Sequence, residues 1–289
     1  MLISSDNTEW VSWPLGVFVL ETPQRVVTGS DVATWEVQGY DLLQVLNTPL
    51  GASYTLAAGT AIIPAVEALI VGAGETSSID QTAVATTAAT TVSFNFLEEA
   101  WTVLTVCNAL LDQIGYRAIH ADRNGVFRSA PYRSPDQLPS VWAFDTSSST
   151  TTVGEVRTHL ADYFNTPNEI VGINDSLESA IPVEGAGIYT LSNDADGPTS
   201  KASRGRTIRQ IIKGQYASQA SLETAVTKSM DSAKRITDII EITTSPNPTF
   251  GHFNAVSLRD DGIPVNGRFL LQSWSLPFGG DMSITLRGV

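Results

Sequence analysis

Residues 267–289 read GRFLLQSWSLPFGGDMSITLRGV. Two runs alternate apolar and polar side chains, and Pro277-Phe278-Gly279-Gly280-Asp281 lies between them, a turn composition flanked by strand patterns. This is a β-hairpin. Side chains two apart share a face of an extended strand. Leu270, Gln272, Trp274 and Leu276 therefore fall on one side of the first arm, with Phe269, Leu271 and Ser273 on the other. On the second arm Met282, Ile284 and Leu286 alternate with Ser283, Thr285 and Arg287. No residue type with obvious catalytic use sits here, so the question the hairpin poses is what its faces and edges pack against.

The segments before it are of the same kind. ITDIIEITTSP (236–246) and NAVSLRD (254–260) read as strands, and SQASLETAVTKSMDSAKR (218–235) is an amphipathic helix aligning Leu222, Ala225, Val226, Met230 and Ala233. Further back, NEIVGIND (168–175) and GIYTLSN (187–193) are strands, and DADGPTSKASRGRTIRQIIKGQ (194–215) is a loop that becomes extended. VGEVRTHLADYFN (153–165) reads as a helix stopped by Pro167, with Thr152 and Glu155 spaced as a capping box. The polar tract before it places a boundary near 145–152.

The middle of the chain mixes helices and strands. Thr60 is placed to cap a helix bearing Ile63, Val66, Leu69 and Ile70, ended by Gly72 and Gly74. A Thr/Ala-rich loop leads to an extended segment at 76–96. LEEAWTVLTVCNALLDQIGYRA (97–118) carries Trp101, Leu104, Cys107, Leu111 and Ile114 at helical spacing, and Gly115 closes it. YRAIHADRNGVFRSAPY (116–132) is a hairpin turning at Asn124-Gly125. At the start, LGVFVLE (15–21) and TWEVQGY (34–40) read as strands, and DLLQVLNTP (41–49) as a short helix or turn stopped by Pro49. The fold class is α+β and β-rich: residues 1–52 part of a first β domain, 53–145 an inserted α+β domain, and 146–289 a second β domain with helices.

Composition narrows the function. The 289 residues are 42% hydrophobic and 16% charged, with a formal net charge of −13, which argues against gripping nucleic acid by neutralising phosphates. One cysteine, Cys107, leaves no intrachain disulfide, and no basic-then-apolar leader or long apolar run is present. His120, His159 and His252 lack zinc-ligand spacing. Cys107 lies on an apolar helix face rather than beside a base. Glu98-Glu99 and Asp260-Asp261 are sequence neighbours whose side chains diverge, so helix-start and turn roles explain them better than acid–base chemistry. No nucleophile elbow, phosphate loop or dinucleotide fingerprint occurs. Lys201, Arg204, Arg206, Arg209 and Lys213 form the one basic cluster. It is either a contact to an acidic neighbour, including another copy of the chain, or a solvated arm; interleaved aromatics for base stacking are missing.

The ordered succession YTLSNDADGPTS, SRGRTIRQI, ASLETAVTKSMDSAKR, EITTSPNPTFGHFNAVSL and FLLQSWSLPFGGDMSITLRG resembles the tail hub, or minor tail, proteins of long-tailed bacteriophages, especially those of actinobacteria. The N-terminal WPLGVFVLETPQ and WEVQGYDLLQVL and the hairpin DRNGVFRSAPY are similar to the corresponding stretches of those proteins. These proteins are related to the baseplate hubs of contractile tails. The resemblance implies two β-barrel-like tube domains separated by an α+β insertion. Three copies form a homotrimeric ring of pseudo-sixfold symmetry at the tail tip, continuing the tail tube. Implied partners are the distal tail protein and the tape measure protein above, and tip or fibre proteins below, with phage DNA passing through the lumen without specific binding. No catalytic, cofactor or metal residues are implied.

Expected subunit contacts are Lys201, Arg204, Arg206 and Arg209 of the basic cluster, Leu222, Val226 and Met230 of the long helix, and Trp274 and Ile284 of the last hairpin. The acidic balance fits a channel wall that releases DNA, a polymer with a charge about every 1.7 Å. Family members place further strands before the PLGVF stretch, which here begins at residue 14, so another chain or a neighbouring subunit is expected to complete the first barrel beside an open edge at 15–21. Gly251-His252 stands where the family often has Gly-Asp. A tail-associated cell-wall hydrolase and the hub of a phage-derived injection particle are the alternative readings.

Overall fold

The computed structural model describes residues 12–288 except 29–31, 81–86, 89–90, 95–100, 134–136, 148–152, 155–157, 161–164, 175–182, 195–196, 217, 236–238, 264 and 278. The expected capping box at Thr152 and Glu155 and the Glu98-Glu99 pair fall outside the described residues. The chain divides into two compact units, Met1–Pro131 and Tyr132–Val289.

In the first unit, β1 (Phe18–Leu20), β2 (Gln24–Thr28), β3 (Val32–Glu36) and β4 (Gly39–Asp41) make one long two-stranded ribbon. β2 pairs antiparallel with β3 from Gln24↔Glu36 to Thr28↔Val32, and β1 with β4 from Phe18↔Asp41 to Leu20↔Gly39. The Glu21 amide, donating to the Gln38 carbonyl at 2.8 Å, joins the two halves. α1 (Leu43–Leu46) follows, then β5 (Tyr54–Leu56), α2 (Ile62–Gly72), β6 (Ser77–Ile79), β7 (Val92–Phe94), α3 (Val103–Gln113), β8 (His120–Ala121) and β9 (Phe127–Ser129). β5 pairs with β7, and β6, β9 and β8 form a small sheet in that order.

α2 packs on α3, burying Ile62, Ile63, Val66 and Ile70 against Val106, Cys107, Leu110 and Leu111. Apolar residues at i, i+3 and i+4 give each helix one face for this contact. Ala61, not Thr60, is the N-cap of α2, and its side chain offers no acceptor. Thr102 caps α3 instead, its hydroxyl accepting from the Thr105 amide at 3.2 Å while Thr105 reaches back to the Thr102 amide. The Asn124-Gly125 turn forms as expected: Gly125 has φ +80°, where a side chain is strained, and a Cβ there would lie 3.0 Å from Val17 and Leu42. That close approach seats the base of the ribbon.

The second unit contains β10 (Ser140–Asp145), β11 (Thr158–Leu160), β12 (Glu169–Asn174), β13 (Val183–Glu184), β14 (Gly187–Ser192), α4 (Lys201–Arg204), β15 (Arg209–Gly214), α5 (Gln219–Arg235), β16 (Ile239–Thr244), β17 (Ala255–Asp260), β18 (Val265–Ser275) and β19 (Met282–Gly288). Six strands order as β10-β17-β18-β19-β16-β11, and four as β13-β14-β12-β15.

The terminal hairpin is β18–β19, and both its edges are taken within the chain, β18 by β17 and β19 by β16. One expected face is corrected. A bulge at Gln272 leaves Leu271 opposite Leu286 and Trp274 opposite Ile284, so Trp274 joins Phe269 and Leu271 on the core side instead of siding with Leu270. One extra residue in a strand reverses the facing of everything beyond it. The core comprises Phe144, Ile240, Ile242, Phe250, Val256, Leu258, Phe269, Leu271, Met282, Ile284 and Leu286. Full burial of an aliphatic side chain of this size stabilises by about 1.5–3 kcal/mol.

The helix expected over 153–165 is also corrected. Thr158–Leu160 is a strand paired with β16, and Val153 bridges Thr244. The Gly154 amide donates to the Thr243 carbonyl at 2.7 Å, and a Cβ at 154 would sit 1.8 Å from Thr243 Oγ1. Sheet pairing, which glycine permits at that distance, outweighs a helical pattern weakened by the same glycine. β10, placed by sequence at the end of the 53–145 segment, pairs in parallel with β17 inside the second unit.

The four-stranded sheet packs one face on α5. Gly172 makes this possible: a Cβ there would lie 2.4 Å from Val226 Cγ2 and 2.7 Å from Leu222 Cδ1. Gln219 pins the helix start to β14, accepting from the Gly187 amide at 3.1 Å and donating to the Ile188 carbonyl at 3.1 Å. Asn174 substitutes for a strand neighbour by donating to and accepting from the Tyr216 backbone, both at 3.0 Å. Tyr132 donates to the Asp231 carboxylate at 2.8 Å.

Candidate interaction surfaces

The basic cluster is built on the end of the four-stranded sheet. Ser200 caps the single turn of α4, accepting from the Ser203 amide at 3.1 Å, and Gly205 ends it at φ +63°. Buried Asn168 then ties the following segment to β12, donating to the Arg206 carbonyl at 2.9 Å and accepting from the Ile208 amide at 2.8 Å. Neither Asn168 nor Glu169 stands out by pattern or spacing in the sequence.

Glu169 on β12 is the cluster's counter-charge. Lys201 Nζ and Arg209 Nε both bind its carboxylate, and Lys201 also donates to Ser192 Oγ at 2.9 Å. The hydrogen bonds from Lys201 and Arg209 hold the Glu169 carboxyl below the usual carboxylate range. Arg204 donates from Nη1 to the Thr166 carbonyl at 2.8 Å. Three of the cluster's cations therefore hold this corner of the fold together. Lys201 Nζ also lies 3.7 Å from Asp194 Oδ1, so two carboxylates face the five cations and a net positive surface remains, to which exposed Arg206 and Lys213 contribute.

The apolar residues expected at subunit contacts divide differently. Leu222 and Val226 are fully buried against the sheet, and Met230 and Ile284 retain 2% of their surface. Side chains enclosed by their own chain have no surface left for a neighbour, so these four are core residues. Helical spacing reports which face is apolar without reporting what covers it. Trp274 is half-buried, its ring edge-on to His252 at 5.7 Å.

The exposed apolar surface lies elsewhere. On the ribbon, Phe18 is 55%, Leu20 70% and Trp35 63% exposed, with Val19, Val37 and Tyr40 also open. Register puts Phe18 and Leu20 on one face and Val19 and Tyr40 on the other, so both faces of this strand pair carry exposed apolar side chains among the described residues. Edge strand β10 exposes Val141 and Trp142, and edge strand β15 exposes Ile211.

Groups with catalytic potential have structural surroundings. Burial pushes the Cys107 thiol up to about 12, far from a reactive thiolate. Asp260 is buried and accepts from the Gly262 amide at 2.8 Å and the Ile263 amide at 3.3 Å, a turn role. Asp122 organises the Asn124-Gly125 turn and binds Arg128 at 2.9 Å. Among the described residues no group of three or more His, Cys, Asp or Glu is placed to hold a metal, and no helix is long and apolar enough to cross a membrane.

No protein-family model and no curated protein matches the sequence. Solved structures do match its fold. The tail protein from Neisseria meningitidis MC58 is similar with a TM-score of 0.67 at 13% identity, over 94% of this chain and 79% of that one. The 43 kDa tail protein of prophage MuSo2 from Shewanella oneidensis gives 0.64 at 10% identity, over 93% and 77%. Prophage tail protein gp18 from Listeria monocytogenes EGD-e gives 0.56 at 11% identity, over 96% and 80%. The α+β, β-rich fold of these tail proteins extends across nearly the whole chain.

Proposed function

We propose that the chain is a structural subunit of a phage tail, and within the tail the hub at its tip. The observation that carries this reading is the fold shared with three tail proteins over 93–96% of the chain despite identities of 10–13%. In this reading three copies close into a ring that continues the tail tube. The ribbon-bearing N-terminal region and the six-stranded sheet each contribute to a barrel-like tube domain, separated by the α2–α3 region. The ring meets the distal tail protein and the tape measure protein on one side and tip or fibre proteins on the other.

A net charge of −13 supports a wall that lets DNA slide past without holding it. A potential that is positive along the bore would sink that part. The uncovered ribbon supports completion of the first tube domain by a neighbouring polypeptide.

The test is the mass and shape of the purified assembly. Native mass spectrometry should give three times the 30.9 kDa chain, and negative-stain images should show rings with an open centre. A chain that stays monomeric at tens of micromolar overturns the ring.

A further inference from the structure

We propose that the β1–β4 ribbon of one copy docks on the β15 edge of a second copy. This deepens the ring reading and rests on it. A ribbon of two strands is marginal by itself in water, and among the described residues neither face is covered. Phe18, Leu20 and Trp35 form an exposed apolar concentration of the kind that marks an interaction site.

β15 presents the matching surface. It is the last strand of its sheet and pairs only with β12 among the described residues, so its outer backbone groups are open to a further strand. Ile211, 56% exposed, provides an apolar contact at the middle of that edge.

Charge selects the occupant. The described ribbon carries Glu21, Glu36 and Asp41 against Arg25, whereas the five basic side chains of residues 197–214 outnumber the two carboxylates that pair with them, Glu169 and Asp194. In a chain of net charge −13, an acidic apolar ribbon has its complement on the chain itself. The two surfaces differ, so the contact between copies is head to tail, the geometry that closes rings. Complementary charge also fixes orientation and suppresses ribbon-to-ribbon pairing, which would juxtapose like charges.

The test is charge reversal read by sedimentation velocity. Glu21→Lys with Glu36→Lys, and separately Arg206→Glu with Lys213→Glu, should each weaken self-association by about tenfold or more, and the chain carrying all four reversals should recover it. Leu20→Ser with Ile211→Ser, which alters no charge, should weaken it as well and covers the case in which a reversal variant fails to fold. If the wild type associates but every variant associates equally well, this docking is wrong and the ring stands. If the wild type is monomeric, the ring reading falls and the docking with it.

Discussion

Ile284 on β19 and Leu20 on β1 are both aliphatic residues in alternating runs, yet the first keeps 2% of its surface and the second 70%. The difference lies in their neighbours. β19 is flanked by β16 and β18, and its inner face meets Phe144, Val256 and Leu258 in one core. β1 pairs with β4 alone, and nothing in the described residues covers either face. Alternation specifies two-sidedness; only the surrounding strands decide whether a side is interior. The core of the C-terminal sheet is closed by its own strands, whereas the ribbon's apolar side chains stay exposed among the described residues.

That contrast can be broken most directly by charging its buried member. Ile284→Asp should cost more than about 4 kcal/mol, because an unpaired charge enters a core already filled. Urea denaturation should show the second unit unfolded or close to it, and a wild-type midpoint would refute burial of Ile284 in this core. Any loss of assembly then follows from lost folding.

Next in size is the contact between α5 and its sheet. Gly172→Ala should destabilise by about 1–3 kcal/mol, since its methyl would press into Val226 and Leu222. In Gly172→Ala with Val226→Ala the combined cost should fall short of the sum, because the smaller side chain makes room. Strict additivity in a double-mutant cycle would deny the contact.

Smaller still is the ion cluster on β12. Glu169→Gln should cost about 1 kcal/mol at neutral pH, a modest value because Arg209 remains 59% exposed. The folded-state pKa of Glu169 is lowered, so its contribution is complete above the unfolded pKa and disappears as pH falls through the folded one. Stability curves of wild type and variant should therefore converge on acidification. Curves that stay parallel into acid would remove the ion pairs from the account.

The ribbon gives the smallest effect on folding. Leu20→Ser should change monomer stability by no more than about 0.5 kcal/mol, measured in dilute solution where association is absent. A loss of several kcal/mol would mean that the ribbon is covered within its own chain, and the contrast with Ile284 would disappear.

Much of the fold was legible from local pattern. The Asn124-Gly125 hairpin, α5 with its five aligned apolar residues, and the strands around 168–175, 187–193, 236–246 and 254–260 follow from periodicity and turn chemistry. β10 was not legible, because its partner β17 is more than a hundred residues away and pairs in parallel. The region around 158–160 misled because its amphipathic spacing suits a helix, while the docking of Gly154 against Thr243 holds the chain extended. In the candidate surfaces, the basic cluster was visible as composition. Its dependence on Glu169, 32 residues before Lys201, was not.

Local pattern specifies which segments can be strands or helices, which face of each is apolar, where glycine must turn, and that the chain is acidic with one basic stretch. It takes the packed strands and helices to turn Leu222, Val226, Met230 and Ile284 inward, to swing Trp274 toward the core through the bulge at Gln272, and to leave the ribbon and β15 exposed among the described residues. The physical reason is that periodicity is a property of neighbours along the chain, whereas burial depends on what the rest of the chain, or another copy of it, brings to each face.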